Sequence, residues 1–271
     1  MPIVRISGPG DPRVDAYHSV QDPELVRQRG LFVAEGRLVV ERLIRERRFA
    51  IQSLLLSDAA FRALEPALSA LEPALPIFIC AAGDFHGITG YDVHRGCLAL
   101  AARPAASSLD VVLEKARIVV VLEGVTDAAN VGGIFRNAAA FGVDAVLLDP
   151  SSCDPLYRKA IRTSMAATLR VPFVRLTTDT SDWSSALGDL KHRGFTIVAL
   201  TPSDSACDVR EFAASEPPAK LALVLGAEGA GLSAKSRAVA DHQVRIPIRP
   251  EVDSLNVAVA AGIVLHRLTK L

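Results

Sequence analysis

The second half of the chain alternates short apolar runs with segments of helical character, and this alternation limits the folds available to it. The runs lie between residues 117 and 248 and are RIVVVLEG, VDAVLLD, VPFVRL, FTIVAL, KLALVLG and HQVRIPI. Strands that alternate with helices favour a mainly parallel sheet with helices on its faces. We therefore predict an α/β fold here, with ligand sites at the carboxyl ends of the strands.

The first half of the chain predicts a smaller α/β unit. Apolar residues near helical spacing occupy positions 38–44, and the segment FRALEPALSALEP is compatible with a helix despite Pro66. Buried strands are predicted at IQSLLLSD, PIFICAAG and GCLALAARP. The small, polar stretch RPAASSLD at residues 103–110 is typical of an exposed connection. We therefore predict one domain at residues 1–106 and a second at residues 107–271.

Composition excludes classes of protein more than it selects one. Thirty basic residues balance thirty acidic ones, so any nucleic-acid contact must depend on local charge. The cysteines show no metal-ligand or redox spacing, which argues against a zinc site or a disulfide framework. They are Cys80, Cys97, Cys153 and Cys207. No apolar run reaches the roughly 18 residues of a membrane span, so we expect a cytoplasmic protein that binds neither membrane nor metal.

The block NVGGIFRNAAAFG at residues 130–142 follows the strand RIVVVLEG. We predict that Asn130 is the N-cap of a helix whose buried face carries four apolar residues at helical spacing. These are Val131, Ile134, Phe135 and Ala138. The alternative interpretation is structural: Asn130 would be only a helix cap, and Arg136 would be only a surface residue. Six helical residues separate the two side chains by about 120° around the axis and about 9 Å along it, so a second chain would have to complete the site if both are catalytic.

The block LVLGAEGAGLS at residues 223–233 joins a strand to a glycine-rich corner. Gly226, Gly229 and Gly231 permit unusual backbone angles and the close approach of a flat ligand. Glu228 lies among them without an adjacent basic residue. The spacing does not fit the dinucleotide pattern GxGxxG, and no phosphate-loop lysine follows. A plain turn between a strand and a helix is the alternative interpretation.

The block IPIRPEVDSLNVAVAAG at residues 246–262 contains a predicted strand end and a helix start. We predict a cap at Asp253 or Ser254 and then a helix that is apolar almost all round, typical of burial in a core or a subunit interface. Ser254 and Asn256 would expose a hydroxyl and an amide beside the end of the strand. Taken alone, both are ordinary capping residues.

The order and wording of these three blocks resemble the SpoU (TrmH) family of RNA ribose 2′-O-methyltransferases, of the SPOUT superfamily. The resemblance covers residues 117–268 and includes the intermediate stretch YRKAIRTSMAATLRVPF. The first half, with DPRV and FVAEGRLVVERL, resembles more loosely the small ribosomal-protein-like RNA-binding domain that many members carry. Ala128 and Arg249 stand where members often have proline and a small residue, and neither departure removes a reacting group.

The resemblance implies a SPOUT-type parallel sheet with a trefoil knot, which general topology rules would have led us to reject. It also implies S-adenosylmethionine held in the knotted loops and a homodimer whose interface forms the active site. The catalytic residues implied are Asn130, Arg136, Glu228, Ser254 and Asn256. The cofactor-binding residues implied are Leu225, Gly226, Ala227, Gly231, Ile246, Ile248 and Leu255.

These residue types suit methyl transfer without a metal. A sulfonium methyl group is already electrophilic, so the protein must align it with a poorly acidic hydroxyl and activate that hydroxyl. A guanidinium can stabilise developing alkoxide charge and hold a neighbouring phosphate. We assign this activating role to Arg136 and leave open whether it is the literal base.

Local positive charge marks the candidate RNA contacts. Residues 155–170 include no acidic residue, and residues 37–48 are rich in arginine. The predicted RNA-binding residues are Arg158, Lys159, Arg162, Arg37 and Arg45. A solvated helix face with intrahelical ion pairs is the alternative. We predict methylation of a ribose 2′-hydroxyl in RNA, with ribosomal RNA favoured; transfer RNA, a catalytically silent assembly factor and an unrelated nucleotide-binding enzyme are the alternatives.

Overall fold

A computed structural model of the chain describes residues 2–18, 22–93, 96–176, 183–215 and 218–269. The strands in these ranges are β1 (Ile3–Arg5), β2 (Leu31–Glu35), β3 (Ile51–Leu56), β4 (Ile77–Ile79), β5 (Cys97–Ala102), β6 (Ile118–Glu123), β7 (Ala145–Leu148), β8 (Phe173–Arg175), β9 (Thr196–Leu200), β10 (Cys207–Asp208), β11 (Leu221–Gly226) and β12 (His242–Arg245). The α-helices are α1 (Arg37–Glu46), α2 (Asp58–Leu68), α3 (Phe85–Thr89), α4 (Leu109–Leu113), α5 (Ala128–Ala140), α6 (Arg158–Thr163), α7 (Trp183–His192), α8 (Val209–Ala214), α9 (Ala234–Val239) and α10 (Val257–Leu268).

The chain divides into two compact units. The first comprises Met1–Ala105 and Pro155–Leu169, and the second comprises Ala106–Asp154 and Arg170–Leu271. A single boundary at residues 106 and 107 does not capture this division, because residues 155–169 pack with the first unit. Buried apolar residues of this segment, such as Leu156 and Ile161, account for that packing.

The first unit contains a mixed five-stranded sheet in the order β1-β4-β3-β5-β2. Strands β1, β4 and β3 run parallel, whereas β5 is antiparallel to both β3 and β2. The three strands predicted in this unit correspond to β3, β4 and β5, and α2 forms with Pro66 near its end. No strand is predicted from the sequence at β2. Four of its five residues are buried, so the run lacks the alternation that identifies a half-exposed strand.

The cysteine thiols of this fold differ in accessibility. Cys80, Cys97 and Cys153 are buried, Cys207 is exposed, and none of these four forms a disulfide. Burial raises the pKa of the Cys80 and Cys97 thiols to about 12, so they stay protonated and unreactive near neutral pH.

We expect a thiol reagent at pH 8 to modify Cys207 alone in the folded protein and all four cysteines after denaturation. Titration with a chromogenic disulfide reagent measures both numbers. The Cys207→Ser variant should show no rapid reaction. Rapid modification of a second thiol in the native protein would contradict this assignment of burial.

The second unit contains a seven-stranded sheet in the order β10-β12-β9-β11-β6-β7-β8. Every neighbouring pair in this sheet is parallel, which confirms the predicted parallel sheet. Strand β12 ends at Arg245, three residues before its predicted end. The chain from residue 246 is therefore a loop at the carboxyl edge of the sheet, where β11, β6 and β9 also end.

Helices α5 and α10 pack against each other through small residues. A Cβ atom on Gly133 would lie 2.8 Å from that of Ala258, and the Asn137 side chain fills the space above Gly262. Asn137 also donates a hydrogen bond to the Ala258 carbonyl at 2.7 Å. The last helix, predicted to be buried in a core or a subunit interface, is only partly covered in the single chain. Contact with α5 covers only one face, and Val259 and Ile263 remain 54% and 37% exposed.

Within the described ranges, no helix has the length and apolar character needed to cross a membrane. The same residues contain no group of three or more histidine, cysteine or acidic side chains placed to hold a metal ion.

Candidate active site

Asp127, and not Asn130, caps helix α5. The Asp127 carboxylate accepts a hydrogen bond from the Ala129 backbone N–H at 2.6 Å. The predicted N-cap at Asn130 is wrong because the helix begins at Ala128, so that Asn130 lies in the first turn. The Asn130 side chain is buried there and bonds to another element. The four residues predicted for the buried face of this helix are all buried.

Asn256 links the three predicted blocks. Its amide nitrogen donates to Asn130 Oδ1 and to Glu228 Oε1, each at 2.8 Å. Its amide oxygen accepts from the backbone N–H groups of Ala258 and Val259 at 3.0 and 3.2 Å, which makes Asn256 the N-cap of α10. The amide therefore uses both donors and both acceptor positions, and this fixes its orientation.

The caps predicted at Asp253 or Ser254 are consequently wrong, because α10 begins at Val257 and Asn256 supplies the cap. Ser254 lies in the preceding loop and is exposed. Ser254 therefore lines the cavity at the end of β11 and does not lie on the first turn of the helix.

The glycine-rich corner after β11 is a tight, self-closed loop. Gly231 donates a backbone hydrogen bond to Ala227 at 2.9 Å, and the two residues form an isolated β-bridge. A Cβ atom on Gly226 would lie 2.3 Å from the Gly231 carbonyl carbon, so only glycine fits where the loop returns over the end of the strand. Glu123, at the end of β6, accepts a hydrogen bond from Ser233 N at 3.2 Å and holds the far end of the loop.

A cavity of about 410 Å³ opens at this edge of the sheet. All seven residues predicted to bind the cofactor line it, and so do Glu228, Ser254 and Asn256. Leu200, the last residue of β9, and the following Thr201 and Pro202 also line it and are not predicted from the sequence. These three residues could have been predicted, because the run FTIVAL predicts a strand that ends at this edge of the sheet. The lining combines apolar side chains, the glycine-rich corner and the polar residues Glu228, Ser254 and Asn256.

Arg136 stands apart from this cluster. It is exposed on α5, does not line the cavity, and forms no hydrogen bond or ion pair with any residue that the structure describes. The structure therefore brings together Asn130, Glu228 and Asn256, places Ser254 at the rim, and leaves Arg136 outside. This arrangement agrees with the separation expected from helix geometry.

Comparison with known proteins identifies the family of this chain. Residues 117–266 match the model of the SpoU rRNA methylase family. The chain belongs to the SpoU rRNA methylase family. A tRNA/rRNA methyltransferase of Mycobacterium tuberculosis, itself uncharacterized, is 38% identical over 269 residues, which are 98% of this chain and 91% of the relative. The matched region contains every strand of the parallel sheet and all three blocks.

Solved structures share the fold over almost the whole of this SpoU methylase. An S-adenosylmethionine-bound rRNA methyltransferase from Sinorhizobium meliloti has a TM-score of 0.77 and 21% identity, over 98% of this chain and 97% of the other. An RNA 2′-O ribose methyltransferase has a TM-score of 0.75 and 23% identity, over 98% and 97%. The likeness extends through the first unit as well as the second.

The predicted RNA-binding residues of this methylase lie in the first unit, in different environments. The Arg158 guanidinium lies 3.3 Å from the centroid of the Tyr91 ring and 3.5 Å from the buried Glu35 carboxylate. Burial lowers the pKa of Arg158 from its usual value, with Asp22 and Glu35 acting in the opposite direction. Arg158 therefore joins residues 155–169 to the rest of the first unit.

The other four candidates are more accessible. Arg162 Nη1 lies 3.3 Å from Glu35 Oε1 with half of its side chain exposed, and Lys159 is exposed. Arg45 pairs with Glu41 at 2.7 Å, the intrahelical pairing that the alternative interpretation expects. Arg37 begins α1 and lines a second cavity. Contact of these residues with RNA stays a prediction.

Proposed function

We propose that this chain transfers the methyl group of S-adenosylmethionine to a ribose 2′-hydroxyl in RNA. The observation that carries the proposal is the Asn130–Asn256–Glu228 hydrogen-bond network, of which Asn256 and Glu228 line the cavity after β11. Membership in the SpoU family supports RNA methylation. The similar 2′-O ribose methyltransferase supports the choice of the ribose hydroxyl.

The cavity fits S-adenosylmethionine in size and chemistry. Its volume of about 410 Å³ is in the range of small-molecule sites. Apolar side chains of Leu225, Ile246, Ile248 and Leu255 suit an adenine ring, and the backbone near Gly226, Ala227 and Gly231 offers main-chain hydrogen bonds. When bound, the cofactor supplies an electrophilic methyl group. We also propose that the loops around the cavity form the trefoil knot of the family.

The polar residues have separate roles in this proposal. Asn256, locked by its four hydrogen bonds, links the cavity residue Glu228 to the buried Asn130. Glu228 and Ser254 orient the ribose or the cofactor by hydrogen bonds. Arg136 stabilises the charge that develops on the 2′-oxygen and holds the adjoining phosphate.

We propose that the protein acts as a homodimer and that Arg136 completes the site of the partner subunit. Within one chain Arg136 is exposed and does not line the cavity. The same helix pair exposes Val259 and Ile263, which are four residues apart and so lie on one face of α10. An apolar face of this kind is typical of a subunit interface.

The double variant Val259→Glu/Ile263→Glu is expected to be monomeric and inactive, because two carboxylates replace the apolar face. Light scattering after gel filtration measures the mass of the particle, and a methyl-transfer assay measures activity. Val111→Glu is the matched control, since Val111 is 70% exposed on α4. A double variant that stays dimeric would contradict the assigned interface, and an active monomer would contradict the need for a dimer.

Methyl transfer from labelled S-adenosylmethionine to total bacterial RNA tests the proposed function. The modified nucleotide is then mapped by its resistance to alkaline cleavage, since a 2′-O-methyl group blocks attack by the ribose oxygen on the phosphate. We favour ribosomal RNA over transfer RNA, which places the reaction in the cytoplasm. A chain that binds no S-adenosylmethionine in calorimetry would be a silent RNA-binding factor and not an enzyme.

A further inference from the structure

The first unit contains a second cavity, of about 460 Å³, which is larger than the cavity in the second unit. It lies between the start of α1, one side of α2 and the segment at residues 155–169. Its apolar lining includes Leu38, Leu64 and Met165, and its polar lining includes Arg37, Arg162 and Glu35. The methyl-transfer mechanism uses none of these residues. The cavity volume is within the range of sites that hold one small molecule or one nucleotide.

The charge around this cavity favours an anion. Two arginines and two glutamates line it, namely Arg37, Arg162, Glu35 and Glu41. Both glutamates are paired: Arg45 Nη2 lies 2.7 Å from Glu41 Oε1, and Arg158 Nε lies 3.5 Å from Glu35 Oε2. The arginines of the lining can therefore meet a phosphate without an uncompensated carboxylate beside it.

A buried carboxylate holds one of these arginines in place. The Glu35 side chain has no exposed surface, and its two oxygens lie 3.3 Å from Arg162 Nη1 and 3.5 Å from Arg158 Nε. Because the Glu35 carboxylate contacts two arginines, its negative charge is compensated without a ligand. Arg162 uses Nη1 for this contact, and about half of its side chain is exposed, so a guanidinium with five donors can also bind an anion. Arg37 stands across the cavity in the first turn of α1, where the helix dipole also favours negative charge.

The apolar part of the lining suits a base and not a phosphate alone. Leu38 is 56% exposed at the cavity, although it is a large hydrophobic residue. Leu64 is a buried residue of α2 in this lining, and Met165 adds a polarizable thioether to it. Covering the exposed part of Leu38 with a flat ring would remove apolar surface from water. A free inorganic anion would leave this surface exposed.

We propose that this cavity binds one unpaired nucleotide of the substrate RNA, with its phosphate on Arg37 and Arg162 and its base against Leu38, Leu64 and Met165. The inference rests on the proposed function in that it takes RNA as the substrate. It adds that the first unit recognises a single-stranded nucleotide, because a base held in a duplex has no free face to pack against these residues.

The test compares two variants at partly or fully exposed lining positions, so that the fold is retained. Arg37→Glu reverses a charge and Ala63→Trp fills the cavity from α2. Matched controls are Arg62→Glu, on α2 outside the lining, and Ala70→Trp, just beyond α2. The probes are a 12-nucleotide single-stranded RNA, the same sequence in a duplex, and deproteinised bacterial ribosomal RNA. Circular dichroism and thermal unfolding establish that each variant is folded.

Both lining variants are expected to weaken binding of the single strand and to raise the KM for ribosomal RNA about tenfold, a typical value for one nucleotide contact. The Kd for S-adenosylmethionine and the kcat at saturating RNA should stay unchanged. Arg37→Glu should also reduce the dependence of affinity on salt by about one phosphate contact. The preference for single strand over duplex should disappear in Ala63→Trp. The controls should stay within about twofold of the wild type, since they leave the cavity open.

The outcomes separate the two proposals. Wild-type methylation with an unchanged KM in both lining variants would overturn the nucleotide site and leave the proposed function intact. RNA binding that depends on Arg37 and Ala63 without any methyl transfer would overturn the proposed function and support the site. An equal loss in Arg62→Glu and Arg37→Glu would show general electrostatic attraction and would overturn the site as well.

Discussion

Replacement of Arg136 by alanine is expected to abolish methyl transfer while leaving S-adenosylmethionine binding intact. The side chain is exposed and does not line the cavity, so its loss disturbs neither the fold nor the cofactor site. Removal of one preorganised group that stabilises developing negative charge lowers kcat on the order of 100- to 1000-fold. Turnover of labelled cofactor measures kcat, and calorimetry measures the Kd of S-adenosylmethionine.

The control for this variant is Arg210→Ala, which removes an exposed arginine paired with Asp208 and should keep full activity. Arg136→Lys should recover only part of the rate, because an ammonium cannot hold a phosphate in the bidentate manner of a guanidinium. Retained turnover in Arg136→Ala would overturn the assigned role. Loss of cofactor binding would mean that Arg136 supports the cavity and not the hydroxyl.

Mixed dimers determine which subunit supplies Arg136. Arg136→Ala and Glu228→Ala are each expected to be inactive as homodimers. If Arg136 acts on the partner's cavity, a heterodimer of the two variants contains one site with both groups and recovers up to about half of the activity. If Arg136 acts within its own chain, every site lacks one group and the mixture stays inactive.

The parallel sheet could be predicted from the sequence because both of its faces are buried. Each central strand is then a continuous apolar run, and the runs from RIVVVLEG to HQVRIPI correspond to β6, β7, β8, β9, β11 and β12. The same reasoning placed Asn130, Glu228 and Asn256 after strand ends at one edge, where the structure brings them together. Their roles in catalysis stay predictions.

Features that depend on distant partners could not be predicted from local pattern. The sequence around Asn130 is compatible with a cap, yet a carboxylate three residues earlier takes that position and leaves Asn130 for Asn256. The segment at residues 155–169 belongs to the first unit, where its apolar residues are buried and its Arg158 and Arg162 contact Glu35, more than 120 residues away in the chain. No local periodicity reports such a contact. The second cavity has the same origin, since its lining comes from three separate stretches.

Replacement of Gly226 by alanine is expected to abolish S-adenosylmethionine binding. The added Cβ atom would lie 2.3 Å from the Gly231 carbonyl carbon and 2.5 Å from Leu232 N. These are backbone atoms, so the clash is relieved only if the loop opens and the bridge between Ala227 and Gly231 breaks. Overpacking costs about 1–3 kcal/mol, which corresponds to a loss of affinity on the order of 100-fold at the upper end. Calorimetry measures the affinity, and thermal unfolding measures the effect on stability.

Gly188→Ala is the control, because nothing lies within 4 Å of the added atom and Gly188 is inside α7. This change should raise helix stability by about 0.5–1 kcal/mol without affecting the cofactor. Gly226→Ala should lose binding and transfer together, whereas Arg136→Ala should lose transfer alone. Wild-type affinity in a folded Gly226→Ala would mean that the cofactor lies outside this cavity. Where Gly226→Ala unfolds, Asn256→Asp tests the same rim, because a second carboxylate would face Glu228 Oε1 and Asn130 Oδ1 where the amide now donates to both at 2.8 Å.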